Sequence, residues 1–364
     1  MHVVIVGGGV VGTAAAATLA EHPVTDVTLL ERDDLGGGTT AASAAVFTTQ
    51  QTLPRRVDHR LRQRAWETYE PAVERGELSY ERVGLLTVAE SEGYAVDCRD
   101  AVDTLRRFGY DAEWVDAAEF DRFDLAGESA VGGLYTPEEG YFDTDELVAF
   151  FAERARERGA TVRAGEGVTG LRTADGVVSA VETENGLLRA DAVVNAAGPW
   201  ATRVNEFVGV EAPMRHTVGP ILAVEGAAHD LPFTIFESKH YVRPAGEAGA
   251  YVGAYRTDYA DGERLDPDEP RAVDEAFRGA ADALLDESVP PLRDATVEDE
   301  WVGLRTVTPD GRPLVGETEV DGFYLAAGMS GLGVTLAPAV ADVLDAAVHG
   351  EESALLDVVR PDRF

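Results

Sequence analysis

The chain opens His2-Val3-Val4-Ile5-Val6-Gly7-Gly8-Gly9-Val10-Val11-Gly12, and those residues decide the fold. Val3 to Val6 form an unbroken apolar run, the pattern of a strand buried on both faces. The glycines that follow are spaced GxGxxG. An alanine-rich helix, Thr13 to about Glu21, comes next, then a second apolar strand, Val27-Thr28-Leu29-Leu30, closed by Glu31. Strand, glycine turn, helix, strand and acid in that order give the spacing its meaning. Gly7 permits the tight turn, Gly9 lets backbone approach a pyrophosphate, and Gly12 lets the helix pack closely on the strand. The helix start then offers free N–H groups and partial positive charge to phosphates. Glu31 stands 19 residues beyond Gly12, where a carboxylate can accept hydrogen bonds from a ribose diol. A glycine-rich turn with no ligand is the plain alternative; the correctly spaced acid favours a bound dinucleotide.

Working outward, Gly36-Gly37-Gly38 and the small-residue segment Thr39 to Ala45 carry no bulky side chain, so a planar ligand has room against their backbone. A flexible loop is the other reading. Arg55 to about Arg75 has helical spacing, Val83 to Val88 reads as a strand, and Ala101 to Phe108 as a short helix. Asp143 and Thr144 cap a helix with acids in its first turn. Three short strands then follow, 167–171, 177–183 and 187–190, joined by the turn signals Asp175-Gly176 and Asn185-Gly186. Ala192 to Gly198 returns as a buried strand. A helix, a β-meander and a return strand are what a flavoprotein with two dinucleotide folds inserts after its first βαβ unit.

From about Val204 the pattern changes to strands expected to be antiparallel: 221–224, 233–236, 241–243 and 250–254. A helix from Ala272 to about Leu285 follows. The expected architecture is α/β: a Rossmann-like FAD domain with an inserted β-meander, plus an α+β substrate domain with a mainly antiparallel sheet. The expected boundaries are 1–78, 138–203 and 300–364 for the first, and 79–137 and 204–299 for the second. Near the C-terminus, Gly322 to Gly328 and Met329-Ser330-Gly331-Leu332-Gly333 make a second glycine turn feeding a helix, about Val334 to Val348. Its positive end suits an isoalloxazine ring, where reduction develops negative charge; a purely structural turn is the alternative.

Together these pieces resemble the D-amino acid oxidase-like family of FAD-dependent oxidoreductases, in its glycine and sarcosine oxidase branch. The resemblance runs through nearly the whole chain. Its carriers are Val3 to Glu31, Gly132 to Pro137 with Gly140, Val193 to Trp200, Trp301 to Gly316, the turn after Ala327 and the closing Arg363-Phe364. It implies FAD, with Gly7, Gly9, Gly12 and Glu31 on its adenosine diphosphate portion. It further implies Val168 at the adenine through backbone, and Gly328, Gly331 and Gly333 near the flavin. Val10, Val11, Arg32, Thr39, Thr40, Ala197, Gly198, Met329, Ser330 and Leu332 complete the implied cofactor-binding set. Arg305 and Tyr241 match residues that hold the substrate carboxylate in glycine oxidase-like enzymes. A guanidinium fork and a phenol donor suit that task, although Arg305 could instead pair with an acid such as Asp310 and Tyr241 could merely pack. Three departures stand out. Met329 occupies a position where many relatives have histidine, and 39–46 is alanine-rich where relatives often show glycine and asparagine. Cys98 lies far from the cysteine that anchors FAD in monomeric sarcosine oxidases, which implies non-covalent FAD.

The reaction implied is oxidation of the C–N bond of a small amino acid or N-methyl amino acid. Hydride passes from Cα to flavin N5, leaving an imine that water hydrolyses, and oxygen or another carrier accepts the electrons. His216 and His240 are candidate proton carriers, though scattered histidines are more often structural. Rival readings are a 2-hydroxy acid or glycerol-phosphate dehydrogenase on the same scaffold, and a non-catalytic or electron-transfer flavoprotein subunit.

Composition bounds the setting. With 364 residues, 45% of them hydrophobic, there is material for a large core or two interleaved domains. No apolar run of membrane-spanning length occurs, the N-terminus enters its strand without a basic segment, and the single cysteine allows no intrachain disulfide; a cytoplasmic protein is expected, with homo-oligomers left open. The 66 acids against 31 basic residues give a net −35, and Lys239 is the only lysine. Nucleic acid would be repelled. Such self-repulsion weakens a compact state in dilute buffer and is screened as salt shortens the Debye length. A salt-loaded cytoplasm, as in halophilic archaea, is therefore the reading preferred over an ordinary acidic protein from a GC-rich genome. The thermal midpoint of the purified protein is expected to rise substantially between dilute buffer and molar KCl; equal midpoints would contradict halophilic adaptation.

Overall fold

His2–Val6 lies inside a six-stranded sheet ordered Leu314–Glu317, Phe323–Ala327, Ala192–Asn195, His2–Val6, Asp26–Leu30, Thr161–Arg163. The computed structural model describes residues 1–246 and 248–364. All neighbours in this sheet are parallel except Leu314–Glu317. Alternation along the first strand explains its apolar run. Val3 and Ile5 join the core under the helices Val10–Leu19, Thr144–Glu157 and Gly333–His349. Val4 and Val6 join a second core, with Val178 and Val181 of the meander and Ala201 and Val204 of a short helix.

The first helix begins at Val10 rather than Thr13, because the last glycine of the motif belongs to the helix itself. The meander forms as expected from Val168–Ala174, Val177–Thr183 and Gly186–Arg189. Asp175 and Gly176 at its first turn both have positive φ, +54° and +86°, the geometry that matches strand twist. The short helix expected over 101–108 is in fact Glu92–Phe108. Ser91 caps it by accepting from the Tyr94 N–H, and its buried side begins with the small residues Ala95 and Cys98, which make little apolar signal.

The second sheet has eight strands, ordered Thr296–Val307, Arg215–Glu225, Gly249–Ala254, His240–Pro244, Phe233–Phe236, Leu85–Ala89, Gly132–Thr136, Glu113–Asp116. Every pair is antiparallel except one: Phe233–Phe236 runs parallel to Leu85–Ala89. The edge strand Thr296–Val307 pairs with Arg215–Glu225 from end to end. One face of the sheet packs Leu86, Val88, Leu222 and Val242 against the helix Glu275–Ser288. The opposite face carries Leu85, Ile221, Phe233 and Tyr241, and Ala44 and Val46 of the small-residue segment pack against it. Among the described residues no helix is long and apolar enough to cross a membrane.

Candidate functional site

A cleft of about 1360 Å³ is lined from both sheets. That exceeds the ~300–1,000 Å³ of ordinary small-ligand pockets, leaving room for a large ligand together with a second molecule. Every cofactor- and carboxylate-binding position singled out in the sequence lines it except Gly12. Gly12 serves the turn from beneath: a Cβ there would collide with the Gly7 carbonyl oxygen, and one on Gly7 with the backbone of Ala196. Gly9 differs. A Cβ there would meet only the Thr40 hydroxyl, at 3.2 Å, so the space over its backbone belongs to the cleft.

The surroundings of this turn are set by hydrogen bonds. The Glu31 carboxylate accepts from the Gly8 N–H at 2.7 Å and the Asp33 N–H at 3.0 Å, which fixes its orientation. Thr40 accepts from the Val10 N–H at 3.2 Å, and Thr39 donates to the Leu304 carbonyl at 2.9 Å. The small-residue segment is thereby tied to the first helix on one side and to the strand carrying Arg305 on the other. Arg32 stacks over Trp200, 4.5 Å from the ring centroid, and pairs with Asp33 and Asp268 at 2.8 and 2.9 Å. Asp268 also accepts from the Trp200 indole at 2.7 Å and from Arg203. These donors hold its carboxyl well below the usual carboxylate range. Through Asp268 the acidic loop over 258–268 reaches back onto Trp200 and two arginines.

The second glycine turn is pinned to the same strand as Arg305: Ser330 N–H donates to Thr306 O at 2.9 Å, and Thr308 N–H to the Ser330 hydroxyl at 3.3 Å. The helix it feeds starts beside the first one, since a Cβ on Gly333 would touch Val10 at 4.0 Å. Ala197, Gly198 and Val168 complete the wall near the first turn.

Arg305 donates to the carbonyls of Val218 and Ala254, both at 3.2 Å. Among the described residues it has no carboxylate partner; Asp310 is engaged instead by Arg363, at 2.9 and 3.0 Å. The phenols of Tyr241 and Tyr255 stand near its guanidinium. Burial pushes the Arg305 pKa down and the Tyr241 pKa up. Two glycines make the seats. A Cβ on Gly219 would overlap the Arg305 guanidinium, and one on Gly253 would overlap the Tyr241 ring. Neither glycine nor Tyr255 was singled out in the sequence, although an isolated glycine inside a strand does signal close approach of another group.

Thr48, Gln50 and Gln51 form a further wall missed in the sequence. The Gln50 amide donates to Leu85 O, Leu134 O and the Thr136 hydroxyl at 3.0–3.2 Å. Its neighbour Thr49 donates through backbone and hydroxyl to the buried Glu139. His216 and His240 are not brought to the cleft. His216 spends one ring nitrogen on Pro199 O and the other on the Leu265 N–H, and burial lowers its pKa. Cys98 is buried in a separate core with Ala89, Leu105 and Leu134.

Comparison with known proteins shows the family and the fold. Residues 2–347 match the family described as FAD dependent oxidoreductase. The chain is 26% identical to 4-methylaminobutanoate oxidase (formaldehyde-forming) of Paenarthrobacter nicotinovorans, over 99% of this chain and 45% of that protein. It is 28% identical to glycine oxidase of Geobacillus kaustophilus, over 97% and 94% of the two chains. The crystal structure of that glycine oxidase superposes with a TM-score of 0.85 at 26% identity, covering 100% of this chain and 98% of the other. L-proline dehydrogenase from P. horikoshii shares the fold, with a TM-score of 0.89 at 22% identity over 100% and 97% of the chains. The chain spans less than half the length of the first curated relatives it matches.

Glu139 gives a pH test. Burial raises its pKa from 4.5 to about 7, against the opposing hydrogen bonds from Thr49. A carboxyl with a higher pKa folded than unfolded binds its proton more tightly in the folded state. Its contribution is therefore complete below pH 4.5 and is lost as pH rises through about 7. The thermal midpoint is expected to fall between pH 5 and 8 less steeply in Glu139→Gln than in the parent protein; identical slopes would remove Glu139 as a cause.

Proposed function

The chain belongs to the FAD-dependent oxidoreductase family, and on that premise we propose that it oxidises the C–N bond of a small amino acid or N-methyl amino acid. The observation that carries this reading is Arg305: a largely buried guanidinium with no carboxylate of its own, seated over Gly219 beside Tyr241 in the cleft. A planar cation so placed is matched by a substrate carboxylate. Tyr241 adds a neutral donor, because burial raises its pKa.

The residues fit FAD. Gly9 leaves its backbone open to the cleft, the Val10 and Gly333 helix starts stand side by side, and Glu31 is oriented by two N–H groups. In this reading Gly7, Gly9, Val10, Val11 and Glu31 hold the adenosine diphosphate portion, with Arg32 and Val168 near the adenine. Thr39, Thr40, Ala197, Gly198 and residues 328–333 hold the remainder. When bound, FAD supplies the acceptor for the hydride that leaves the substrate Cα. The protein's own work is positioning and electrostatics: Arg305 and Tyr241 fix the carboxylate, and through it the direction of the Cα–H bond. Binding is taken as non-covalent, a reading supported by the burial of Cys98 away from the cleft. Oxygen or another carrier reoxidises the enzyme. In this reading the domains divide as 1–78, 138–203 and 300–364 against 79–137 and 204–299, with the strand Thr296–Val307 of the second sheet crossing the boundary at 300. Arg305 would grip a 2-hydroxy acid equally well, so the amine must be tested separately.

The test is anaerobic addition of glycine, sarcosine, proline, D-alanine and lactate to FAD-loaded protein in molar KCl, following flavin absorbance. Bleaching by at least one amino acid and not by lactate is expected. Arg305→Ala should raise KM for that substrate by about 10–100-fold, the loss of one charge-assisted interaction. Bleaching by none of the amino acids, or an unchanged KM in Arg305→Ala, would overturn the assignment.

A further inference from the structure

His2–Val6, which ends in the first glycine turn, is flanked by the parallel strands Asp26–Leu30 and Ala192–Asn195. Arg32 stands just past the end of one flanking strand and Trp200 just past the end of the other. The two meet, the guanidinium 4.5 Å from the ring centroid, so their contact joins the strand ends on either side of the turn. Glycines seat both members: a Cβ on Gly167 would touch Arg32 at 3.2 Å, and one on Gly38 would touch Trp200 at 3.4 Å. Arg203, on the short helix Ala201–Glu206, adds a second guanidinium. All three residues line the cleft, as do Glu31 and Val168.

What holds this bridge comes from a distant part of the chain, between the strand Gly249–Ala254 and the helix Glu275–Ser288. There Asp268 accepts from Arg32 Nη1 at 2.9 Å, from the Trp200 indole at 2.7 Å and from Arg203 Nη1. Arg203 Nη2 donates to Asp266, whose carboxylate also accepts from the Asp268 N–H at 2.9 Å. An isolated ion pair this exposed contributes little; here donors from both strand ends converge on one carboxylate. The segment that bears it is fastened in turn. Glu263 exchanges backbone hydrogen bonds with His216 at 2.7 and 2.9 Å, and the His216 ring accepts from the Leu265 N–H at 3.2 Å. Arg271 donates to the carbonyls of Asp266 and Glu269 at 2.8 and 2.7 Å. Charge gives the arrangement a direction. Arg32 follows Glu31 directly, and its Nη1, released from Asp268, would compete with a ribose for the Glu31 carboxylate.

Resting on the FAD reading above, we propose that Asp268 is a positioning residue for the cofactor: it clamps the Arg32–Trp200 bridge at the adenosine end of the site and keeps Arg32 off Glu31. Asp268 itself stands outside the cleft lining. Its effect is therefore on retention of FAD, exerted through Arg32 and Trp200, and not on the flavin ring or the substrate.

The experiment dilutes FAD-loaded protein in molar KCl and follows FAD release by the recovery of its fluorescence, at a temperature well below the thermal midpoint of every variant. Asp268→Ala should raise the Kd for FAD about tenfold, the loss of one charge-assisted contact, with the absorbance spectrum of the bound flavin unchanged. Asp268→Asn, which keeps an acceptor for the Trp200 indole, should move Kd in the same direction by less, and serves if the alanine variant fails to fold. Glu269→Ala removes one negative charge from the same segment and should leave Kd at the parent value. FAD held equally by the parent and Asp268→Ala would overturn this proposal alone, and so would an equal loss in Glu269→Ala, the sign of a general charge effect. A parent protein that takes up no FAD would overturn the FAD reading and this proposal with it.

Discussion

The architecture rests on a contact that contains no side chain. Gly12 lies so close under the Gly7 carbonyl that any Cβ would collide with it. That approach lets the Val10–Leu19 helix begin directly at the end of the central strand, with Gly9, Val10 and Val11 lining the cleft. The Gly333–His349 helix then packs alongside and begins at nearly the same place. Two helix starts side by side place like partial charges together, about half an elementary charge each. In isolation that repulsion is unfavourable; with an anionic cofactor between protein and solvent it becomes a binding site. In a chain of net charge −35, this backbone device supplies positive potential without a lysine.

The substrate side is coupled to that device through one strand. Thr296–Val307 forms an outer strand of the eight-stranded sheet, yet it carries Arg305 into the cleft, and Thr306 and Thr308 just beyond hold Ser330 of the second turn. The position of the Arg305 guanidinium is therefore set relative to the second helix start by Thr306 and Thr308, which follow it within three residues and bond to Ser330. Gly219 and Gly253 complete the arrangement by vacating the volume that Arg305 and Tyr241 fill.

What could be read in the sequence was governed by local periodicity. The GxGxxG turn, the Asp143 cap and the Asp175-Gly176 hairpin are encoded within a few residues, and each forms as read. Glu92–Phe108 was cut short because Ala95 and Cys98 bury without a strong apolar stripe. The parallel partner of Phe233–Phe236 could not be seen, since Leu85–Ala89 lies nearly 150 residues earlier and pairing direction has no local signature. In the site, Arg305 and Tyr241 stood out by resemblance. Gly219, Gly253, Tyr255 and Gln50 did not, because what makes them matter is the volume or hydrogen bond that another strand brings to them.

The threading of the two sheets has a bearing on biosynthesis. His2–Val6 is made before its flanking partner Ala192–Asn195, which follows only after the meander, and the next strand over, Phe323–Ala327, comes later still. Leu85–Ala89 likewise waits for Phe233–Phe236. Each sheet is interrupted by pieces of the other, so neither can close cotranslationally as an independent unit. Such long-range pairing is slow and leaves strand edges uncovered meanwhile. Self-repulsion at a net charge of −35 opposes the pairing of such open edges between incomplete copies of the chain.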